Sequence, residues 1–537
     1  MSRHEPATGR PRGVGRRPVL GVLSVLAAGG AGTAAGLLPP PRPRTLEGAT
    51  AVAKPGPTTV LCPGPVTVPD KVLTSSGDAG LKTVPPSDEV TVRTIALDPD
   101  SPLLFGRTEA ATTRTQDDGS ARIPRIRTRK LDDSAVDAKV ATGELQDAVQ
   151  TVPDLTHAVT VTATSSSDGP PVADVVQHTV TEIGDFRSRA LTRATAPVTE
   201  AMFLGIGTRS GSSTALVLRN IGPRPATAVV QVWTAKGPAS MGGSSRVVVA
   251  PGSTEKMLLE AVVPDQDAIG VRVATTGAPL HMSVQASERD GLTPGGVEIL
   301  SPGGDDDRDL LIPGIRAAAD ADPEVQLLNT RGLDATTRVT VHGVDGPVDL
   351  PGLDAIAVPQ ASLVQVPLRG LEPGSYAVRV QGEVPLAAAA RSVVLGKDLP
   401  GATVDRPRDF AVAPSTPTLD EATVLALTTD GKDGHLLLAA LEDTELTCIP
   451  IGADGAVGKP VTRSVPAQHA LVLDPSDLPV PTGEPVALAL TPDVPEALVG
   501  AWISDGPTAK SRGPLLSILP LPQPTAATGT ETALRIG

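Results

Sequence analysis

Histidine and cysteine are the side chains whose spacing most directly signals metal or covalent chemistry, and here both are scattered. The histidines are His4, His157, His178, His281, His342, His435 and His469. No two stand three or four positions apart, the spacing that sets two imidazoles on one helix face for zinc. His281, His342 and His469 fall in strand-like segments whose relatives elsewhere in the chain lack histidine, which points to structural or surface roles. Cys62 and Cys448 could pair in an oxidising compartment if the fold brings their Cα atoms within ~7 Å. Two buried, unpaired thiols are the preferred reading. No G-x-S-x-G elbow is present. The expectation is therefore no catalytic residue, no cofactor and no enzyme.

Three charged or glycine-rich stretches have compositions that could serve other chemistry. Gly205-Ile206-Gly207-Thr208-Arg209-Ser210-Gly211 has the richness of a phosphate-cradling loop but neither its spacing nor a surrounding βαβ unit, so a strand-connecting turn is expected. Asp305, Asp306, Asp307 and Asp309, with Asp320, Asp322 and Glu324 downstream, supply the oxygen ligands a calcium ion wants. A solvated acidic linker is the preferred reading. Asp117, Asp118, Arg122, Arg125, Arg127, Arg129 and Lys130 form the most charged segment. If the protein were an envelope hydrolase or a glycan-processing factor, residues 57–196 around this segment would hold the site. A solvated loop is the plainer account.

The elements that must position any site are written as a repeat. Asn220, Ala226, Thr227, Val230, Val232, Gly237 and Pro238 recur as Asn329, Ala335, Thr336, Val339, Val341, Gly346 and Pro347. Gly343, Asp345 and Gly346 recur again as Gly452, Asp454 and Gly455. A period of a little over a hundred residues is a whole domain, longer than a solenoid unit. Segments such as "ATAVVQVW", "TRVTVHG" and "HLLLAAL" are short strands between Gly/Pro turns, as in sandwich domains. Val271-Arg272-Val273 and Val378-Arg379-Val380 alternate, with valines expected inward and arginines outward. Residues 132–150 are the one stretch with a helical pattern. The reading is an all-β chain of tandem immunoglobulin-like β-sandwich domains in a row: a divergent β domain at 57–196, then repeats at 197–304, 308–400 and 405–518, and a disordered tail at 519–537.

Ahead of the domains, residues 1–17 carry five arginines against one glutamate, and residues 18–38 are uncharged and mostly apolar. That length suffices to cross the ~30 Å hydrocarbon core as a helix. An uncleaved membrane anchor with the body outside the cytoplasm is preferred. A cleaved secretory signal, cut near Thr33–Ala35, is the alternative and would release a secreted binding protein. Residues 39–56 form a Pro-rich linker. The net charge of −14 disfavours nucleic acid as a partner. The chain has only four Phe, two Trp and one Tyr, too few to line a glycan groove after cores are filled; Trp233 and Trp502 are expected in cores. The partners expected are the membrane, through the N-terminal segment, and an envelope protein or polysaccharide.

Thr192–Pro238, "TRATAPVTEAMFLGIGTRSGSSTALVLRNIGPRPATAVVQVWTAKGP", and the "LCPGP" of Leu61–Pro65 resemble the actinobacterial domain of unknown function 5719 family. The resemblance covers most of residues 55–518. It implies a secreted or membrane-tethered protein of no established activity. Members tend to carry a cysteine where this chain has Thr192-Arg193-Ala194-Thr195, so the resemblance supplies no partner for Cys62. The expected role is that of a non-catalytic structural or interaction protein of the cell envelope.

Overall fold

A computed structural model describes residues 57–67, 86, 88–109, 122–165, 169–304, 306–398, 405–427 and 434–522. The expected anchor at 18–38, the linker at 39–56 and all but the first four residues of the expected tail lie outside them. Among the described residues every regular element is a β-strand, apart from four short 3-10 turns, and every strand pairing is antiparallel. No helix among them is long and apolar enough to cross a membrane.

The strands group into four modules, each a pair of facing sheets, and the four share one strand order. In the second module, one sheet runs Glu200–Ile206, Ile269–Thr276, Ala226–Thr234, Gly237–Pro238. Its companion runs Thr254–Leu258, Ser212–Arg219, His281–Asp290, Thr293–Leu300. The fourth module repeats this with Thr423–Ala426, Pro485–Pro492, Thr444–Gly452, Val461–Val465 facing Ala470–Leu473, Gly434–Ala440, Leu498–Ser504, Ser517–Pro520. The third follows the same plan, except that one 22-residue strand, Gly374–Leu395, serves both sheets. The divergent first module, Thr58–Cys62 to Ser188–Arg193, keeps the plan too.

The repeated residues do the same work in each copy. Val230 faces Val273 and Val232 faces Val271 across one strand pair, as Val339 faces Val380 and Val341 faces Val378 across another. All eight valines are buried, while Arg272 and Arg379 between them are partly exposed. Asn220 is fully buried at a turn: its Nδ2 donates to Arg224 O (2.8 Å) and Val249 O (3.1 Å), and its Oδ1 accepts from Gly222 N (2.9 Å). Asn329 does likewise with Leu333 O (2.7 Å), Val358 O (3.2 Å) and Arg331 N (2.9 Å). A buried side-chain amide that satisfies three backbone groups of one turn at once explains why this residue type recurs. Trp233 and Trp502 are buried as expected.

Three expectations are corrected. Residues 132–150 form no helix; Val140–Thr142 and Asp147–Val152 are strands of the first module. The strand Arg408–Pro414, assigned by sequence to the last repeat, pairs with Ala389–Leu395 and closes the third module, so the division falls after it. Leu519 and Pro520, assigned by sequence to the tail, complete the core strand Ser517–Pro520, and Leu519 and Leu521 are buried.

The modules do not form a row; they close on one another. The second module's core continues into Leu328, Ala389, Phe410 and Val412 of the third. The third continues into Leu437, Ala501, Ile503 and Ile518 of the fourth. The fourth continues into Ile95, Leu97, Val149 and Val176 of the first. The first meets the second where Thr192 Oγ1 donates to Ile299 O (3.0 Å) and Ser301 Oγ to Arg193 O (2.8 Å). Sheets with neighbours on both sides need both faces apolar, which is why Leu436, Leu437 and Leu438 are all completely buried.

Val232→Asp and Val341→Asp each put an unpaired charge into a sheet interface. Each is expected to lower unfolding free energy by more than about 3 kcal/mol. Urea denaturation measures it, and a wild-type midpoint in either variant would remove that valine from the core.

Candidate functional site

The four strands that close the modules, Ser188–Arg193, Thr293–Leu300, Arg408–Pro414 and Ser517–Pro520, come together at the centre of the ring. Polar side chains hold them there. Asp409 is fully buried; its Oδ2 accepts from Arg189 N (3.0 Å) and Leu516 N (2.9 Å), tying three modules through one carboxylate. Ser517 Oγ accepts from Leu191 N (2.8 Å). Arg187 donates to Ser511 O (2.5 Å), Gly513 O (3.0 Å) and Pro514 O (2.8 Å). Burial pushes the Asp409 carboxyl up to about 7, against the pull of the Leu516 N–H and the Arg187 charge. Glu298 is 3 % exposed and held well above the usual carboxylate range, first by burial and further by Asp409 beside it.

Where these strands end, they and their onward loops wall a cavity of about 500 Å³. Its lining draws on all four modules: Leu191 and Arg193, Leu300 to Gly304, Val412 with Pro414 to Pro417, and Ile518 to Pro522. Met202, Leu204 and Leu310 add apolar wall; Glu200, Glu298, Asp307 and Asp309 add acid. A concave apolar wall of this size with a few polar groups is the usual form of a small-molecule site. Three of the charged side chains in the wall are held in ion pairs. Arg193 pairs with buried Asp174 (2.7 Å) and donates to Pro520 O (2.6 Å). Asp309 pairs with Arg379 (2.7 Å), which holds its carboxyl below the usual range, and Glu200 pairs with Arg272. Three polar atoms in the wall are buried without a hydrogen-bond partner: Glu298 Oε2, Ser415 Oγ and Thr195 Oγ1.

The residues singled out by sequence lie elsewhere or serve the fold. Cys62 and Cys448 are free thiols buried in the cores of the first and fourth modules, so the disulfide is excluded by placement. Burial raises both thiols, Cys448 to about 12. His178 and His281 are buried, and desolvation lowers each to about 3, so both are neutral. His342 lies on a strand as expected, whereas His469 sits just before one, its Nδ1 2.8 Å from Ala467 O. Of the acidic run, Asp305 lies outside the described residues. Asp306 accepts from Thr330 (2.9 Å) and Arg331 (3.3 Å), and Asp309 faces Arg379, so an extended strand spreads the carboxylates instead of converging them. Among the described residues no three His, Cys, Asp or Glu side chains gather for a metal. Arg125, Arg127 and Arg129 line the exposed face of the sheet-edge strand Arg125–Lys130, a common protection for an edge; Asp117 and Asp118 lie outside the described residues. The Gly205–Gly211 stretch joins two strands. A Cβ at Gly205, whose φ is +81°, would sit 2.4 Å from Val412, so the glycine permits two modules to touch.

Sequence reasoning missed the cavity because its wall is assembled from four distant segments. The one available signal was runs such as "AMFLGI", "FAVAP" and "LLSILP", which lack alternation and therefore mark strands covered on both faces.

The raised carboxyl of Asp409 has a defined pH signature. Its contribution to stability is complete below about pH 4, where the unfolded group is also protonated, and is lost as pH rises through about 7. Asp409→Asn is expected to remove that dependence, so the stability difference between wild type and variant should change by up to about 1.4 kcal/mol per pH unit between pH 5 and 7. Denaturant midpoints across that range measure it; parallel profiles would mean that Asp409 is ionised throughout.

A family profile described as "Family of unknown function (DUF5719)" matches residues 148–476, more than half of the chain. No curated protein and no solved structure matches.

Proposed function

The chain belongs to that family of unknown function, and from this premise we propose that it is a non-catalytic binding protein of the cell envelope. A membrane segment at 18–38 and a Pro-rich stalk at 39–56 would hold the four-module ring outside the cytoplasm. The observation that carries the reading is the axial cavity, whose wall needs the closing strand of every module. Arg193, Glu200 and Asp309 in its wall are already held in ion pairs with the fold, which supports retention of a ligand over chemistry upon it. The arginine cluster ahead of an uncharged apolar stretch supports the orientation. Outer sheet edges would serve a protein or polysaccharide partner. The common strand order also supports reading each module as a variant immunoglobulin-like sandwich, in which the first strand takes the edge that the last strand holds in an immunoglobulin domain.

Alkaline phosphatase joined after residue 60 tests the placement, since that reporter folds only outside the cytoplasm. Activity in whole cells, with full-length protein in the membrane fraction, is expected. Activity with the protein in the medium would convert the anchor into a cleaved signal. An inactive fusion, present at normal level, would put the ring in the cytoplasm and end the envelope reading.

A further inference from the structure

We propose that the axial cavity binds a cationic amphiphile, an aliphatic body carrying a primary ammonium or a comparable N–H-donating head. This rests on the reading of that cavity as a binding site and adds the class of ligand. The wall is apolar over most of its area, from Leu191, Met202, Leu204, Leu310, Val412 and Leu519, so it suits an aliphatic body. Its charges select the head. Glu200 and Asp309 are paired with Arg272 and Arg379, which leaves Glu298 and Asp307 as the acids of the wall without an ion pair among the described residues. Arg193 is engaged by Asp174 at 2.7 Å and by Pro520 O at 2.6 Å, so a carboxylate or phosphate head would find no cation to receive it.

A donor head does find acceptors. Glu298 Oε1 accepts from Ile299 N (3.0 Å) and the Val412 N–H also lies against the carboxyl, while Oε2 is buried and makes no hydrogen bond of ordinary geometry. Ser415 Oγ and Thr195 Oγ1 are in the same state within the same wall. Carboxylate and hydroxyl oxygens all accept, and an ammonium carries three N–H groups. Buried polar atoms are ordinarily bonded, so three without a protein partner beside one cavity offer acceptors to a donor head. Glu298 is 3 % exposed and Ser415 2 % exposed, so bulk solvent does not serve them. Burial favours the neutral form of Glu298. A bound ammonium would replace that arrangement with a charge-assisted bond inside a low-dielectric wall.

Three ten-carbon probes of matched shape test this: decylamine, decanol and decanoate, at neutral pH and below micelle formation. Each is dialysed against the full-length protein in lipid nanodiscs, with empty nanodiscs subtracted. Decylamine is expected to bind one per chain, about tenfold or more tighter than decanoate, with decanol between them. Glu298→Gln should weaken decylamine by about tenfold and leave decanol within about threefold. Should that variant not fold, Ser415→Ala serves, with a smaller loss again confined to the amine. Decanoate binding as tightly as decylamine would overturn the cationic head and leave the cavity a binding site. Saturable binding of none of the three would overturn the cavity reading as well.

Discussion

The structure depends on one constraint: a ring of sheet pairs must bring four strands to its centre, and their polar groups must be satisfied there without water. An unpartnered amide or carbonyl in such a place costs about 1–3 kcal/mol. Strands that meet from different modules do not share one hydrogen-bond ladder, so side chains bridge them. Asp409 accepts from Arg189 N and Leu516 N, Ser517 from Leu191 N, and Thr192 donates to Ile299 O. Burial of Asp409 and Glu298 is the consequence, and their raised pKa values follow from it. The ring is held by apolar sheet faces on its circumference and by a few ionisable groups on its axis.

Residues that repeat are legible because they serve each module internally. Val230, Val232, Val339 and Val341 pair within a sheet, Asn220 and Asn329 fasten a turn, and their spacing announces the unit and its β class. Contacts between modules leave a fainter trace. Gly205 is demanded by Val412, more than two hundred positions away, and nothing near it in sequence says so. The strand Arg408–Pro414 falls to the wrong repeat when the divide is set at "LPGATVDRPRD", because that strand pairs back onto Ala389–Leu395 of the third module. The cavity is invisible in the sequence for the same reason: every module lends it one strand end.

Repetition and function divide along the same line. A four-fold arrangement of identical modules would present the axis with four copies of whatever residue stood there, and four glutamates or four arginines cannot share a dry centre. The closing strands accordingly differ where the sheets agree: "SRALTR", "TPGGVEIL", "RDFAVAP" and "SILP" have no common polar residue at the axis. Each carries its own solution, an arginine from the first, a glutamate from the second, an aspartate from the third and a serine from the fourth. The sheets could thus be copied wholesale, whereas the centre had to become asymmetric for the ring to close. That asymmetry is also what a binding site needs, because a wall with unlike sides can orient a ligand with unlike ends. The place where the repeat is least faithful is therefore where the chain has most freedom to acquire a specific partner.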